Sequence, residues 1–313
     1  MKRTTLAFVA ALTVPAAGHA QTLQCTVAQQ EVFPGDNERV RLGRATGLGG
    51  SANIAVYRAP LAVNTDGAPT SYHPDDFLGQ TLAINRIDNG ITIRRTSGTG
   101  LETSEKIEVF NRWKSSGWTV PSGYTISWQN VIAARQGKPC VLTGENRGYF
   151  GSLTALKNGL PAAQAGECQV RNQLDQRYIP AIVLRGGSAN PLTTFGAKVG
   201  DLVVAVNPAT GRVVPAIVGD SGDGKRIGEG SVALNMALLG VSTQPSSYQK
   251  AKELDTGSSA MVVAVIPGSR TFQRVRPYSA QNIAARVEAW AAQQGYGSTA
   301  TLARATLACA EGL

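Results

Sequence analysis

The stretch from Val213 to Met236, VVPAIVGDSGDGKRIGEGSVALNM, constrains the fold more than any other. Val213 to Val218 is apolar and β-branched, and reads as a buried strand that ends at Gly219. Asp220 stands at the strand's exit, on a tight turn of Gly, Ser, Asp and Lys. Glu229 follows nine positions later, between Gly228 and Gly230. From Ser231 to Leu239 the apolar residues Val232, Met236 and Leu239 recur at helical spacing. Two carboxylates therefore flank one glycine-rich turn, where little side-chain bulk separates them from a ligand. Each acid also has a plainer reading. Asp220 fits a turn-former that bonds its own backbone, and Glu229 fits an acid facing the next helix's N-terminus.

Further apolar runs predict strands at Ala181–Leu184, Asp201–Asn207 and Met261–Ile266, and at Asn53–Val63 with a break at Pro60. Tyr124–Ala134, Cys140–Thr143 and Gly148–Thr154 read as shorter strands. Thr103–Lys114 carries Ile107, Phe110 and Trp113 at three-residue spacing and predicts a helix with those residues inward. Ser279–Gln294, with Ile283, Val287 and Trp290, predicts another, and Thr299–Ala310 a last one. The segment Gln21–Gly50 is weakly patterned and reads as an N-terminal arm pinned by a disulfide. Many short strands followed by late helices imply a mainly β fold. Residues 21–313 then form a single domain, a β-barrel-like core with added C-terminal helices.

Residues 1–20 read as a signal peptide rather than as fold. Lys2 and Arg3 precede an apolar run from Leu6 to Val14, and Gly18-His19-Ala20 is a small-x-small cleavage site. The mature protein is thus expected to be secreted or periplasmic, with no membrane span. Cys25, Cys140, Cys168 and Cys309 then predict two disulfides in one of three pairings. Net charge is +9, and losing Lys2 and Arg3 leaves +7. The basic residues are scattered singly, without the runs of a nucleic-acid binder. His73 is the sole histidine of residues 21–313, which excludes a histidine-built zinc site.

Gly219-Asp220-Ser221-Gly222 matches the residues around the nucleophile of chymotrypsin-like proteases. That mechanism needs a histidine base beside the serine. His73 lies in Tyr72-His73-Pro74-Asp75-Asp76 instead of that family's Ala-Ala-His-Cys, and Asp223-Gly224 replaces the Gly-Pro that follows the serine motif there. A longer match points elsewhere. The run from Ala216 to Asn235, AIVGDSGDGKRIGEGSVALN, resembles the central motif of family 75 glycoside hydrolases, the fungal-type chitosanases and their bacterial relatives. Asp66 to Asp75, DGAPTSYHPD, is similar to that family's N-terminal acidic loop, and Gly148 to Ala155, GYFGSLTA, to its middle segment. Tyr178–Leu184 and Gly200–Val206 are similar to its paired strands. The resemblance spans about residues 57–239; residues 102–128 and the chain after Gly240 fall outside its pattern.

The resemblance implies an endo-acting hydrolase of β-1,4-linked glucosamine polymers that inverts configuration with one Asp and one Glu. Those positions carry over to Asp220 and Glu229. In an inverting hydrolase one carboxylic acid protonates the leaving oxygen, while a carboxylate activates water on the opposite face. The apolar neighbours Ile227, Val232 and Ala233 favour Glu229 as the acid, and an open polar loop favours Asp220 as the base. Asp66, Tyr72, His73 and Asp75 are the expected substrate-binding residues. No metal or organic cofactor is required, the partner is a polysaccharide, with neither nucleic acid nor membrane involved, and a monomer is expected. A basic protein repels a polycation such as chitosan unless Asp66, Asp75, Asp76, Asp220, Asp223 and Glu229 make the cleft acidic. An N-acetylated cell-wall glycan is therefore the alternative substrate, and a non-catalytic cell-wall-binding protein the alternative class.

Overall fold

The computed structural model describes residues 23–32, 39–47, 50–161, 164, 166, 168–186, 190–222 and 227–313. The expected signal peptide, the turn at Pro34–Asn37 and Asp223 lie outside these residues, as does the side chain of Cys25.

The segment read as an N-terminal arm is instead sheet. It forms β1 (Gln24–Val32) and β2 (Arg39–Gly47), followed by β3 (Gly50–Ala59) and, past Pro60, β4 (Ala62–Asn64). An inserted lobe then folds as α1 (Ile87–Gly90), β5 (Ile91–Arg95), α2 (Thr103–Ser115) and β6 (Tyr124–Trp128), with the small hairpin of β7 (Ala134–Arg135) and β8 (Lys138–Pro139). The predicted inward stripe of α2 holds. Phe110 and Trp113 are buried, and Ile107 packs against the same aromatic cluster as Trp118, Trp128 and Phe150. Gly148–Thr154 is not a strand; it contributes only the isolated bridges Val141–Phe150 and Ile132–Ser152.

The chain returns as β9 (Ala181–Leu184), α3 (Pro191–Thr194), β10 (Leu202–Asn207) and β11 (Arg212–Ser221). Then come β12 (Glu229–Ser231), α4 (Val232–Leu239), α5 (Tyr248–Lys252), β13 (Met261–Ile266), α6 (Ala280–Gln293) and α7 (Thr299–Cys309). Ser231 caps α4 by accepting from the Leu234 N–H, and Ser279 caps α6 in a reciprocal box with Asn282.

Nine strands form one mixed sheet in the order β1-β2-β3-β13-β10-β11-β9-β12-β4. Most neighbours are antiparallel, but β9 runs parallel to β11, and β4 to β12. The sheet is open, so the expected barrel is not formed, and the fold is mixed α/β rather than mainly β. The physical reason is legible in the strands themselves. Every residue of β9, β10 and β13 is buried. Strands that are apolar on both sides need cover on both faces, and helices supply it. Ala55, Tyr57, Val203, Ala205, Val263 and Val265 meet Leu234 and Leu238 of α4 on one face. Ile54, Val56, Val204, Val206, Val262 and Ala264 meet Val287 and Trp290 of α6 and Leu302 of α7 on the other. Ile283 of α6 continues that second layer over Ala181 and Ile217.

Cys140 and Cys168 form a disulfide across a sequence separation of 28. Closing a loop of that size stabilises the fold by roughly 3–4 kcal/mol through the unfolded chain. Cys309 is disulfide-bonded as well, and no cysteine is free among the described residues. No helix among the described residues is long and apolar enough to cross a membrane.

Candidate active site

The site is built on the short end of the sheet, where β9 separates β11 from β12. Asp220 of β11 and Glu229 of β12 are both register partners of one residue, Val183 of β9. Residues directly opposite in a ladder share a face, so the two carboxylates project to the same side. Their backbones are two interstrand spacings apart, roughly 9–10 Å. Ile182 and Leu184 point the other way, into the α4 layer. The carboxylates thus lie on the α6 face of the sheet, beyond the helix's reach, under the loop that contains Thr154 and Ala155.

Asp220 is not on an open turn. β11 continues through Gly219 to Ser221, and the ladder shifts register between Val218 and Asp220. This bulge sets one extra residue, Gly219, against β9 and re-aims Asp220 onto the Val183 face. The extra residue must be glycine: a Cβ there would sit 2.7 Å from the Ala181 Cβ and 3.2 Å from Leu174. Gly219→Ala is therefore expected to cost about 1–3 kcal/mol by overpacking. It should also displace Asp220, so a melting curve and a rate measured together will show both losses.

Burial sets the electrostatics. Asp220 is 8% exposed; its Oδ1 accepts from the Ala155 N–H at 2.9 Å and from the Ser221 N–H at 2.8 Å. Desolvation nevertheless pushes its pKa up to about 6, against the pull of those two N–H groups and of Lys157. The ammonium of Lys157 donates to the Thr154 carbonyl at 2.5 Å and to Gln173 Oε1 at 2.7 Å. Its own pKa is lowered by burial.

A third carboxylate joins the pair. Asn64, at the end of β4, is the register partner of Ser231, which puts its side chain on the face of Glu229. Its Nδ2 donates to Asp66 Oδ2 at 3.2 Å and approaches Glu229 Oε2 at 3.5 Å, so one amide bridges the two acids. Asp66 Oδ1 accepts from the Tyr72 hydroxyl at 2.8 Å, and Asn85 Nδ2 in turn donates to that hydroxyl at 3.0 Å. Asp66 is 9% exposed. Desolvation first, and the Asp220 charge second, raise its pKa to about 7 despite the Tyr72 and Asn64 hydrogen bonds. Tyr72 is itself held well above its usual value by burial and by the three acids.

Of the residues singled out from sequence, the structure brings together Asp66, Tyr72, Asp220 and Glu229. His73 and Asp75 follow Tyr72 in the chain but turn to the surface. Asp75 pairs with Lys114 Nζ at 2.7 Å, and the His73 ring meets Tyr149 edge-on at 4.8 Å. Asp76 is structural. Its carboxylate accepts from the N–H groups of Gln80, Thr81, Leu82 and Ala83, which hold its pKa below the usual range although burial opposes them. Sequence reasoning missed Asn64 and Lys157. Asn64-Thr65-Asp66 had a usable signal, a side-chain amide two residues before an acid in a turn-rich stretch, and the Asp66 N–H does donate to Asn64 Oδ1 at 2.9 Å. Lys157 carried none, because its meeting with Asp220 spans unrelated segments.

The arrangement can hold a proton on one buried carboxyl while a neighbouring carboxylate polarises water, which is general acid–base chemistry. Among the described residues no group of three or more His, Cys, Asp or Glu side chains is placed to hold a metal ion. No protein-family model matches this chain, and no curated protein matches it.

Proposed function

We propose that the protein is an exported glycoside hydrolase that cleaves a glucosamine-type polysaccharide by inversion, in the manner of family 75 chitosanases. The observation that carries this reading is the shared register of Asp220 and Glu229 against Val183 on one face of the sheet. Inverting carboxyl groups stand about 6.5–9.5 Å apart, with a water between one of them and the sugar. Two strands separated by a third supply a backbone spacing of that order.

The roles are exchanged relative to the expectation from sequence. Asp220 is the buried group whose pKa rises to about 6, and both N–H donors engage its Oδ1, which leaves Oδ2 to carry the proton. It is the general acid, active below about pH 6. Glu229 is half-buried and serves as the base toward water. Asp66, whose pKa rises to about 7, keeps its proton where Asp220 acts as the acid and meets substrate as a neutral hydrogen-bonding group. Among the described residues Asp66, Asp220 and Glu229 gather near Lys157, and the site becomes more attractive to a cationic sugar as Asp220 and Asp66 ionise.

A panel of soluble polysaccharides assayed for new reducing ends tests this proposal. Chitosan or a partially N-acetylated relative is expected to be cut, with the α-anomer appearing first in the NMR spectrum. A β-anomer would replace inversion by retention. No cleavage of any glycan by the disulfide-intact protein would leave the non-catalytic wall-binding class.

A further inference from the structure

A groove of about 990 Å³ opens on the same sheet face as the carboxylates, between Gly67 on one side and the start of α6 on the other. Tyr278 and Ile179, which line it, belong to the layer that covers Ala181 beside the site. Two threads connect groove and carboxylates. Gly67 directly follows Asp66 and is wedged so tightly that a Cβ would lie 2.1 Å from the Leu174 carbonyl. Gln173 lines the groove and accepts from Lys157, the lysine whose charge acts on Asp220.

The groove is braced before any ligand arrives. Its walls include Thr143–Asn146 and Val170–Gln173, and the Cys140–Cys168 disulfide ties the chain just ahead of both. Asn172 pins the facing strip by accepting from the Gly159 and Leu160 N–H groups through Oδ1, both at 3.1 Å. Tyr178 stands on the rim with 59% of its surface exposed. The Arg177 guanidinium lies 5.1 Å from its ring centroid and is itself clamped by Asp175 at 2.7 Å. An exposed aromatic ring held by a fixed neighbour offers contact area at little entropic cost.

The lining charges select the ligand. Among the described residues Glu145 and Asp175 oppose Arg171 and Arg177 along the groove, whereas acids predominate at the carboxylate site beside it. A row of ammonium groups gains nothing there, while an uncharged sugar ring gains the tyrosine face and the amide of Asn146.

We infer that this groove is a distal subsite for an uncharged, N-acetylated stretch of the polymer, with Tyr178 as its stacking platform. The inference rests on the glycan reading above and assigns places along the chain: charged units at the carboxylates, acetylated units in the groove.

The test is calorimetric titration with hexa-N-acetylglucosamine and, separately, with the glucosamine hexamer. The full disulfide-intact protein is used in an Asp220→Asn background, with and without Tyr178→Ala. Tyr178→Ala should weaken binding of the acetylated hexamer about tenfold and leave the glucosamine hexamer within twofold. In the otherwise wild-type enzyme it should raise KM on partially acetylated polymer with kcat within twofold. Failure of the acetylated hexamer to bind, or equal affinity with and without Tyr178, overturns the subsite. Tyr178-dependent binding without any glycan cleavage by the wild-type enzyme would keep the groove and sink the hydrolase instead.

Discussion

Asp220→Asn and Glu229→Gln are each expected to lower turnover at least ~10²-fold, the usual scale for a lost general acid or base. Both substitutions preserve shape. In Asp220→Asn the amide oxygen still accepts from Ala155 and Ser221, which keeps the loop over the site in place. In Glu229→Gln the ladder to Val183 and Ala62 is made by the backbone and is untouched. Circular dichroism should therefore show folded proteins, and the loss should appear in kcat. Ser221→Ala supplies the contrast. Ser221 is exposed at the end of β11, and its removal should leave activity within about twofold. A folded but inactive Ser221→Ala would move the chemistry to a serine nucleophile; a wild-type rate from either carboxylate variant would remove that residue from the reaction.

Asp66→Asn is expected to slow turnover about tenfold or more and, above neutral pH, to make the protein more stable. The sign follows from linkage. Burial raises the pKa of Asp66 from its ordinary 3.8 to about 7, so between those values the native state holds a proton that the unfolded chain has released. Stability then falls as pH rises through this window, and the penalty is complete above about pH 7. Asp220 adds a smaller penalty of the same sign between its ordinary value and about 6. Asparagine keeps an acceptor for Tyr72 and removes the ionisation, which should restore on the order of 2–4 kcal/mol at pH 8. For a domain of this size that is a rise in Tm of several degrees, with little change at pH 4. Unchanged stability at pH 8 would mean that the native state does not raise the pKa of Asp66. A site that costs stability at its working pH is the ordinary trade between activity and packing.

The elements that need only local information were legible in the sequence. Ser279 and Gly295 bounded α6, Ser231 opened α4, and the β-branched runs at Ala181, Leu202 and Met261 are strands where periodicity put them. Asp220 and Glu229 stood out because glycines flank both. What the sequence could not determine is which segments become neighbours. The sheet order inserts β13 between β3 and β10 and places β9 between β11 and β12, so the carboxylates are separated by a strand from nearly forty residues upstream of Asp220. That insertion decides their spacing. Closure was misread for the same reason: a run such as MVVAVI says that a strand is buried on both faces, not whether helices or a second sheet wall cover it. The sequence by itself determined the buried strands β9, β10 and β13 and the capped helices, and it singled out the two acids, but it missed β1 and β2. Only the tertiary structure decided that Asp220 is buried rather than open, that Asp66 is buried and hydrogen-bonded to Tyr72, and that Asp75 and Asp76 are engaged elsewhere. Burial and charge coupling belong to contacts between distant segments, and no local pattern encodes them.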